Sequence, residues 1–143
     1  MKEQNVILVT LGYVITNLLG GIDIALQTLL LFMSIDYITG LVVAGVFKKS
    51  RKNKSGALDS SIGFKGIIKK CMMLLMVLIA HHLYLVIGWE FIRYGVIIAF
   101  LTNEVISITE NACLMGVPIP PTLRNAIGIL QKKGDENENN TKK

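Results

Sequence analysis

The sequence predicts an all-α membrane protein with three to four transmembrane helices and a short C-terminal amphipathic helix. Hydrophobic residues make up 52% of the 143 positions and charged residues only 17%. The charges cluster in one central stretch and at the C-terminal end, whereas a globular protein would interleave them at helical or strand spacing. Apolar runs of about 18 to 25 residues match the roughly 30 Å hydrocarbon core of a bilayer at about 1.5 Å of rise per residue.

A basic stretch between the two strongest apolar runs orients the chain. Short loops rich in lysine and arginine stay on the cytoplasmic side of a membrane, and such residues also attract anionic lipid headgroups. We therefore predict a cytoplasmic loop at 48–69 that fixes the direction of both neighbouring helices. Its topology and headgroup residues are Lys48, Lys49, Arg51, Lys52, Lys54, Lys65, Lys69 and Lys70.

The remaining elements follow in order within one membrane domain, residues 1–131. We predict helices at about 5–20, 24–47, 70–88 and 90–115, of which only the first is too short to cross comfortably. That segment crosses a locally thinned bilayer, re-enters the membrane or lies in the interface. The number of crossings, three or four, and the side of the N-terminus therefore stay open. Asp23 suits the N-cap of the second helix. Prolines 118, 120 and 121 end the last span, a surface helix follows at 121–132, and residues 134–143 are expected to be disordered.

Polar side chains inside the apolar runs are the best indication of function, because they are costly in hydrocarbon. Counted from the cytoplasmic helix ends, five of them lie about 16 to 18 Å deep; this predicted intramembrane polar belt is Asp36, His81, His82, Asn103 and Glu104. A polar stripe continues down the last span through Ser107, Glu110 and Asn111. Either the groups satisfy one another and hold the bundle together, or they line a wet interior.

Small residues at four-residue spacing predict close helix packing at Gly40 with Ala44 and at Gly95 with Ala99. A protomer of three or four helices can hardly surround every polar group, so we expect a homo-oligomer. Arg93, near the outside end of its span, is expected to snorkel toward the interface.

No pattern of residues indicates an enzyme, a cofactor or a metal site. The chain lacks a nucleophile elbow, a zinc-protease helix, a phosphate loop and a dinucleotide fingerprint. His81 and His82 are adjacent and cannot share a helix face. The formal net charge of +5 accompanies no nucleic-acid-reading module, so nucleic acid is not an expected partner.

Four segments in order carry a resemblance to a known family. They are DYITG at 36–40, SSIGFKG at 60–66 with Lys69 and Lys70, NEVISITEN at 103–111, and GVPIP at 116–120. Together, over about residues 20–131, the chain resembles the toxin-secretion and phage-lysis holin family of phages and prophages of Gram-positive bacteria. The resemblance implies a multi-pass protein of the bacterial cytoplasmic membrane that self-associates and opens lesions. Those lesions release an endolysin for host lysis, or a toxin in related systems.

Two other classes of protein fit the same residues. A small ion or solute channel, or a transporter subunit, would also use acids at mid-bilayer depth and would give selective, graded flux. A membrane scaffold would use the basic loop and the C-terminal helix to recruit a soluble partner. The number of subunits, the lesion diameter, the trigger and the enzyme or toxin released are not encoded in any motif.

Overall fold

The computed structural model describes residues 2–48 and 60–125 as a helical protein. Its helices are α1 (Lys2–Leu18), α2 (Ile24–Val42), α3 (Ser60–Ile87) and α4 (Phe91–Leu114). A π-helical turn, Val43–Phe47, continues α2, and residues 121–125 begin a further helical segment. No strand occurs in the described residues, so the all-α prediction is confirmed.

Three segments of the described chain are long and apolar enough to cross a membrane: Ile24–Phe47, Gly63–Ile87 and Phe91–Leu114. The first and last agree with the predicted spans 24–47 and 90–115. Helix α1 has 17 residues, about 25 Å of helix, and is not one of the three. By length and composition, the described residues therefore provide three candidate crossings, the lower of the two predicted numbers.

Helix α3 begins at Ser60, ten residues before the predicted start at 70. The expected loop therefore ends before Lys65, Lys69 and Lys70, which lie on the helix. Glycine lowers helix propensity, and two glycines in the first turns of α3 face an aromatic ring on α2. A Cβ on Gly63 would lie 3.7 Å from the Tyr37 hydroxyl, and one on Gly66 would lie 3.8 Å from the Tyr37 ring.

Several predictions fall outside the described residues. The loop positions Lys49, Arg51, Lys52 and Lys54 are among them, as are the tail at 134–143 and most of the surface helix predicted at 121–132.

The three candidate crossings pack around one apolar core. Helix α2 packs chiefly against α4, and α4 also packs against α3. The core side chains are Leu19, Leu26, Leu29, Met33, Met73, Val77 and Ile97. Most other large apolar side chains point outward, for example Ile79, Leu85 and Ile98, as is normal for helices surrounded by lipid. Helix α1, described in full, has no buried residue.

A tight joint connects α1 to α2. Gly20 and Gly21 both have positive φ, +89° and +84°, a conformation that costs other residues about 1–2 kcal/mol. Asp23 then begins α2 as its N-cap, because its carboxylate accepts a hydrogen bond of 2.9 Å from the Leu26 amide. The predicted N-cap at Asp23 is confirmed.

Alanine at the two glycines of the joint separates backbone strain from crowding. Both substitutions strain the backbone, but only at Gly20 would the new Cβ clash, at 2.5 Å from His81 Nδ1 and 2.9 Å from Arg93 Nε; at Gly21 it meets nothing within 4 Å. We expect Gly20→Ala to accelerate amide hydrogen exchange over residues 18–24 more than Gly21→Ala does. Equal acceleration in the two variants would show that the contact with His81 does not hold the joint.

Candidate functional site

A buried ionic cluster joins the three candidate crossings. Lys70 Nζ on α3 lies 2.9 Å from Asp36 Oδ2 on α2 and 2.6 Å from Glu104 Oε2 on α4. Asp36 and Glu104 are 8% and 2% exposed. One ammonium thus serves two carboxyl groups, and each crossing contributes one member. We refer to Asp36, Lys70 and Glu104 as the Lys70 cluster.

Asn111 extends this cluster along the interface between α2 and α4. Its side-chain amide donates to Thr39 Oγ1 at 3.0 Å and to Asp36 Oδ1 at 3.3 Å. A Cβ on Gly40 would lie 3.8 Å from that amide nitrogen. Gly40, predicted as a packing position, therefore lies where Asn111 approaches α2.

A second polar cluster lies at the other end of the bundle, near the turn at residues 88–90. The Arg93 side chain, 4% exposed as a residue, donates to Leu19 O at 3.0 Å, to Asp23 Oδ2 at 2.5 Å and to Gly21 O at 3.3 Å. The guanidinium of α4 therefore clamps the joint between α1 and α2. We refer to Arg93, Asp23 and the two carbonyl groups as the Arg93 cluster. Arg93 was expected to snorkel toward the interface; its guanidinium is not free in water but is buried against two carbonyl oxygens and a carboxylate of the joint. A position at a span end does not reveal such acceptors.

The N-cap carboxylate of Asp23 feels two opposing influences. Burial pushes its pKa upward, but the hydrogen bonds from Arg93 and the Leu26 amide and the positive charge of Arg93 outweigh burial. The net result is a pKa below the ordinary value of 3.8.

The polar groups form two levels, whereas the sequence predicted one. Lys70 and His81 are eleven positions apart on α3, as are Arg93 and Glu104 on α4, which corresponds to about 16 Å of helical rise. His81 lies at the Arg93 level, packed against Gly20, and its buried Nδ1 has no hydrogen-bond partner within the described residues. The depth count failed because it began at Lys70, which is itself level with Asp36.

The other predicted site residues divide between the bundle interior and its surface. On α4, Ser107 and Asn111 are half-buried on the side of Glu104, whereas Asn103 and Glu110 are exposed. His82 is exposed and its Nδ1 lies 3.0 Å from Leu78 O of its own helix. Ala44 is buried at 7% exposure. Gly95 and Ala99 are exposed, and a Cβ on Gly95 would meet nothing within 4 Å.

The structure changes two expectations, one about enclosure and one about pairing. A three-helix protomer does enclose Asp36 and Glu104, although the sequence suggested that so small a bundle hardly could. Lys70, expected at the lipid headgroups, is the residue that makes this enclosure tolerable. An ammonium within one side-chain length of a span end can face either way, and only acids on other helices decide the direction.

Two adjacent lysines provide a matched test of the Lys70 cluster. Lys70→Met leaves both carboxyl groups buried without their cation, and removing one partner of a buried ion pair costs about 3–5 kcal/mol. Lys69→Met changes an exposed side chain and should stay within about 0.5 kcal/mol of the parent. The measurement is the free energy of unfolding in mixed detergent micelles. A loss shared equally by both variants would contradict the assigned role of Lys70.

Acid titration tests the clamp at Asp23. A folded-state pKa below 3.8 contributes stability that is present above that value and is lost as the pH falls through the folded pKa. Fluorescence of Trp89, the single tryptophan, reports unfolding near this end. We expect Asp23→Asn to be less stable than the parent at neutral pH and to lose part of the acid-dependent destabilisation. Glu90→Gln, in the exposed turn, should keep the parental acid profile; an unchanged profile in Asp23→Asn would refute the clamp.

Comparison with known proteins places this architecture in a family. The sequence profile described as the bacteriophage holin family matches residues 13–132. An uncharacterised protein of Listeria innocua is 41% identical over 92% of this chain and 89% of its own length. An uncharacterised 14.9 kDa protein of Clostridium perfringens is 38% identical over 88% and 91%. A protein named probable holin, from Bacillus phage phi105, is 25% identical over 78% and 77%. No solved structure matches. The chain, whose described residues include three helices long and apolar enough to cross a membrane, therefore belongs to the bacteriophage holin family.

Proposed function

We propose that the protein is a holin that oligomerises in the bacterial cytoplasmic membrane and opens lesions through which an endolysin, or a toxin in related systems, passes. The observation that carries the proposal is the Lys70 cluster, an ionic contact inside the candidate crossings that is shared by three helices. Membership of the holin family and the phage relative named probable holin support it.

The charge distribution supports a definite orientation. Lys48, Lys65 and Lys69 are exposed at the end where α2 finishes and α3 begins, and the positive-inside bias favours the cytoplasm for that end. With three crossings, α2 runs inward, α3 outward and α4 inward again. The Lys70 cluster then lies in the cytoplasmic half of the membrane, the Arg93 cluster lies at the outer surface, and α1 begins outside.

The energetics of buried charge supply a mechanism. In a lone protomer the ammonium binds both carboxyl groups, and Asn111 also donates to Asp36, so the bundle encloses its polar groups away from lipid. Separating the helices in hydrocarbon would strand charges at a cost of several kcal/mol each. Water between assembled protomers removes that cost, so separation becomes favourable only where several copies together create a wet space. Opening is then cooperative in protomer number.

The exposed side of α4 suits association between copies. Gly95 and Ala99 are exposed there, and a Cβ on Gly95 would meet nothing within 4 Å. Small residues allow close helix approach in membranes. Membrane lipid and further copies of the chain are the direct partners in this scheme. An endolysin needs only the opening and no binding site, and no nucleic acid or cofactor takes part.

Removing one carboxylate from the Lys70 cluster should change when lesions appear. Asp36→Asn leaves one ammonium facing one carboxyl group. Fewer charges then become hydrated when the helices separate, so separation is less favourable and the onset of lesions is delayed. An altered barrier of about 1.4 kcal/mol changes a rate roughly tenfold. The measurement is the time of membrane depolarisation after induced expression in bacteria, with Glu90→Gln in the exposed turn as the control.

A co-expressed endolysin distinguishes this proposal from its alternatives. Escape of the folded enzyme at the moment of depolarisation supports lesions, whereas ion flux without enzyme release favours a small channel. Indistinguishable onset times for Asp36→Asn, Glu90→Gln and the parent would remove the Lys70 cluster from the mechanism. Normal growth with the protein present in the membrane would refute the holin proposal itself.

A further inference from the structure

Helix α1 is anchored firmly at its C-terminal end and is uncovered along its length. It has no buried residue in its 17 positions, yet the joint behind it is clamped by Arg93. We propose that α1 lies flat in the bilayer interface at the end of the bundle formed by the turn at residues 88–90. This inference requires three crossing helices but not lesion formation, so it goes beyond the proposed holin function and can fail or succeed separately.

The clamp sets the depth at which α1 ends. Asp23 is the N-cap of the first crossing, and Arg93 is the third residue of the last one, Phe91–Leu114. Both therefore lie at the boundary of the hydrocarbon layer. Because Arg93 binds the Leu19 and Gly21 carbonyl oxygens and the Asp23 carboxylate, the C-terminal end of α1 is held at that same boundary.

The aromatic side chains at the level of the Arg93 guanidinium are typical of a membrane interface. Trp89 is 59% exposed and stacks on Phe91 with ring centroids 5.6 Å apart. The Arg93 guanidinium lies 5.6 Å from the centre of the Tyr94 ring. Tryptophan and tyrosine concentrate where headgroups meet acyl chains. The C-terminal end of α1 is therefore held at the level of an interfacial aromatic belt.

The length of α1 argues against a fourth crossing from that anchor. Seventeen residues span about 25 Å, and the hydrocarbon core is about 30 Å thick. A perpendicular α1 would end with the charged side chains of Lys2 and Glu3 inside the core, with about 5 Å of hydrocarbon still to cross.

The side-chain pattern of α1 suits a helix in the membrane plane. Ile7, Leu11, Val14 and Leu18 follow at spacings of four, three and four and share one face. The opposite face carries Tyr13 and Thr16, with Val6 and Val9 as its apolar members and Asn17 on its flank. Interfacial helices bury such an apolar face about 5–10 Å into the boundary between headgroups and acyl chains. The occupant of this uncovered face is therefore lipid.

Spin labels on the two faces test this placement. The native cysteines, Cys71 and Cys113, are both exposed and are replaced by serine. Single labels are then introduced by Leu11→Cys and Tyr13→Cys in the full chain, reconstituted in vesicles of zwitterionic and anionic phospholipid. We expect the Leu11 label to collide with oxygen several-fold more often than the Tyr13 label, and the Tyr13 label to collide more with an aqueous nickel chelate. Circular dichroism of each variant confirms that the bundle is intact.

The other two arrangements give opposite results. A crossing α1 would make both labels accessible to oxygen and protected from nickel, and a Gln4→Cys thiol would react from the side opposite a Trp89→Cys thiol. A second copy packed on α1 would protect Leu11 from both reagents and bring labels on separate chains within dipolar range. Either result overturns the inference. Vesicles that show the expected split but no leakage would leave it standing while counting against the holin proposal.

Discussion

One ammonium shared between two carboxyl groups is the contact on which the arrangement of the three crossings depends. Lys70 reaches Asp36 and Glu104 within hydrogen-bond distance, and both acids are almost fully enclosed. A charge in hydrocarbon is tolerated only beside a partner, so the contact fixes the register of three helices at once. A shift of α3 by one residue would turn Lys70 by about 100° and leave both acids without a cation.

The second constraint is the apolar layer between the two polar levels. Leu29, Met33, Val77 and Ile97 fill the bundle there. Lys70 and His81 on α3 are eleven positions apart, as are Glu104 and Arg93 on α4. Because the spacing is equal on these two antiparallel helices, the polar contacts at both levels form together when the apolar side chains pack. The Arg93 cluster then holds the joint of α1 and α2, whereas the Lys70 cluster holds the crossings themselves. Specific polar contacts therefore hold the bundle near both ends, and less specific apolar packing fills the layer between them.

The sequence was sufficient for several features that depend on local pattern. Apolar length located the crossings, and Asp23 was recognisable as an N-cap from the break before it. Intramembrane polarity drew attention to Asp36 and Glu104, which the structure brings together through Lys70. The failures concern side chains whose direction is decided by other helices. Lys70 and Arg93 each lie near a span end, where a long cationic side chain has two possible environments.

Depth counting failed for a related reason. It assumed that the helix begins where the lysines end, so the start of α3 was placed at 70 when it lies at Ser60. The histidines were consequently assigned to the level of Asp36, although His81 contacts the joint at the opposite end. Gly63 and Gly66 lower helix propensity, so the local sequence did not indicate that α3 extends back to Ser60.

Enclosure of the acids within one protomer has a consequence for how a holin could be timed. If the polar groups needed a second copy to become tolerable in lipid, assembly would begin as soon as two chains met. Here Lys70 binds both acids within one protomer, so under the proposed mechanism two copies gain little by exchanging these contacts. Only an assembly large enough to admit water makes separation of Lys70 from its acids favourable. Under the proposed mechanism, a buried ionic contact of this kind would let the protein accumulate in the membrane without opening it, and opening would depend steeply on local protomer density.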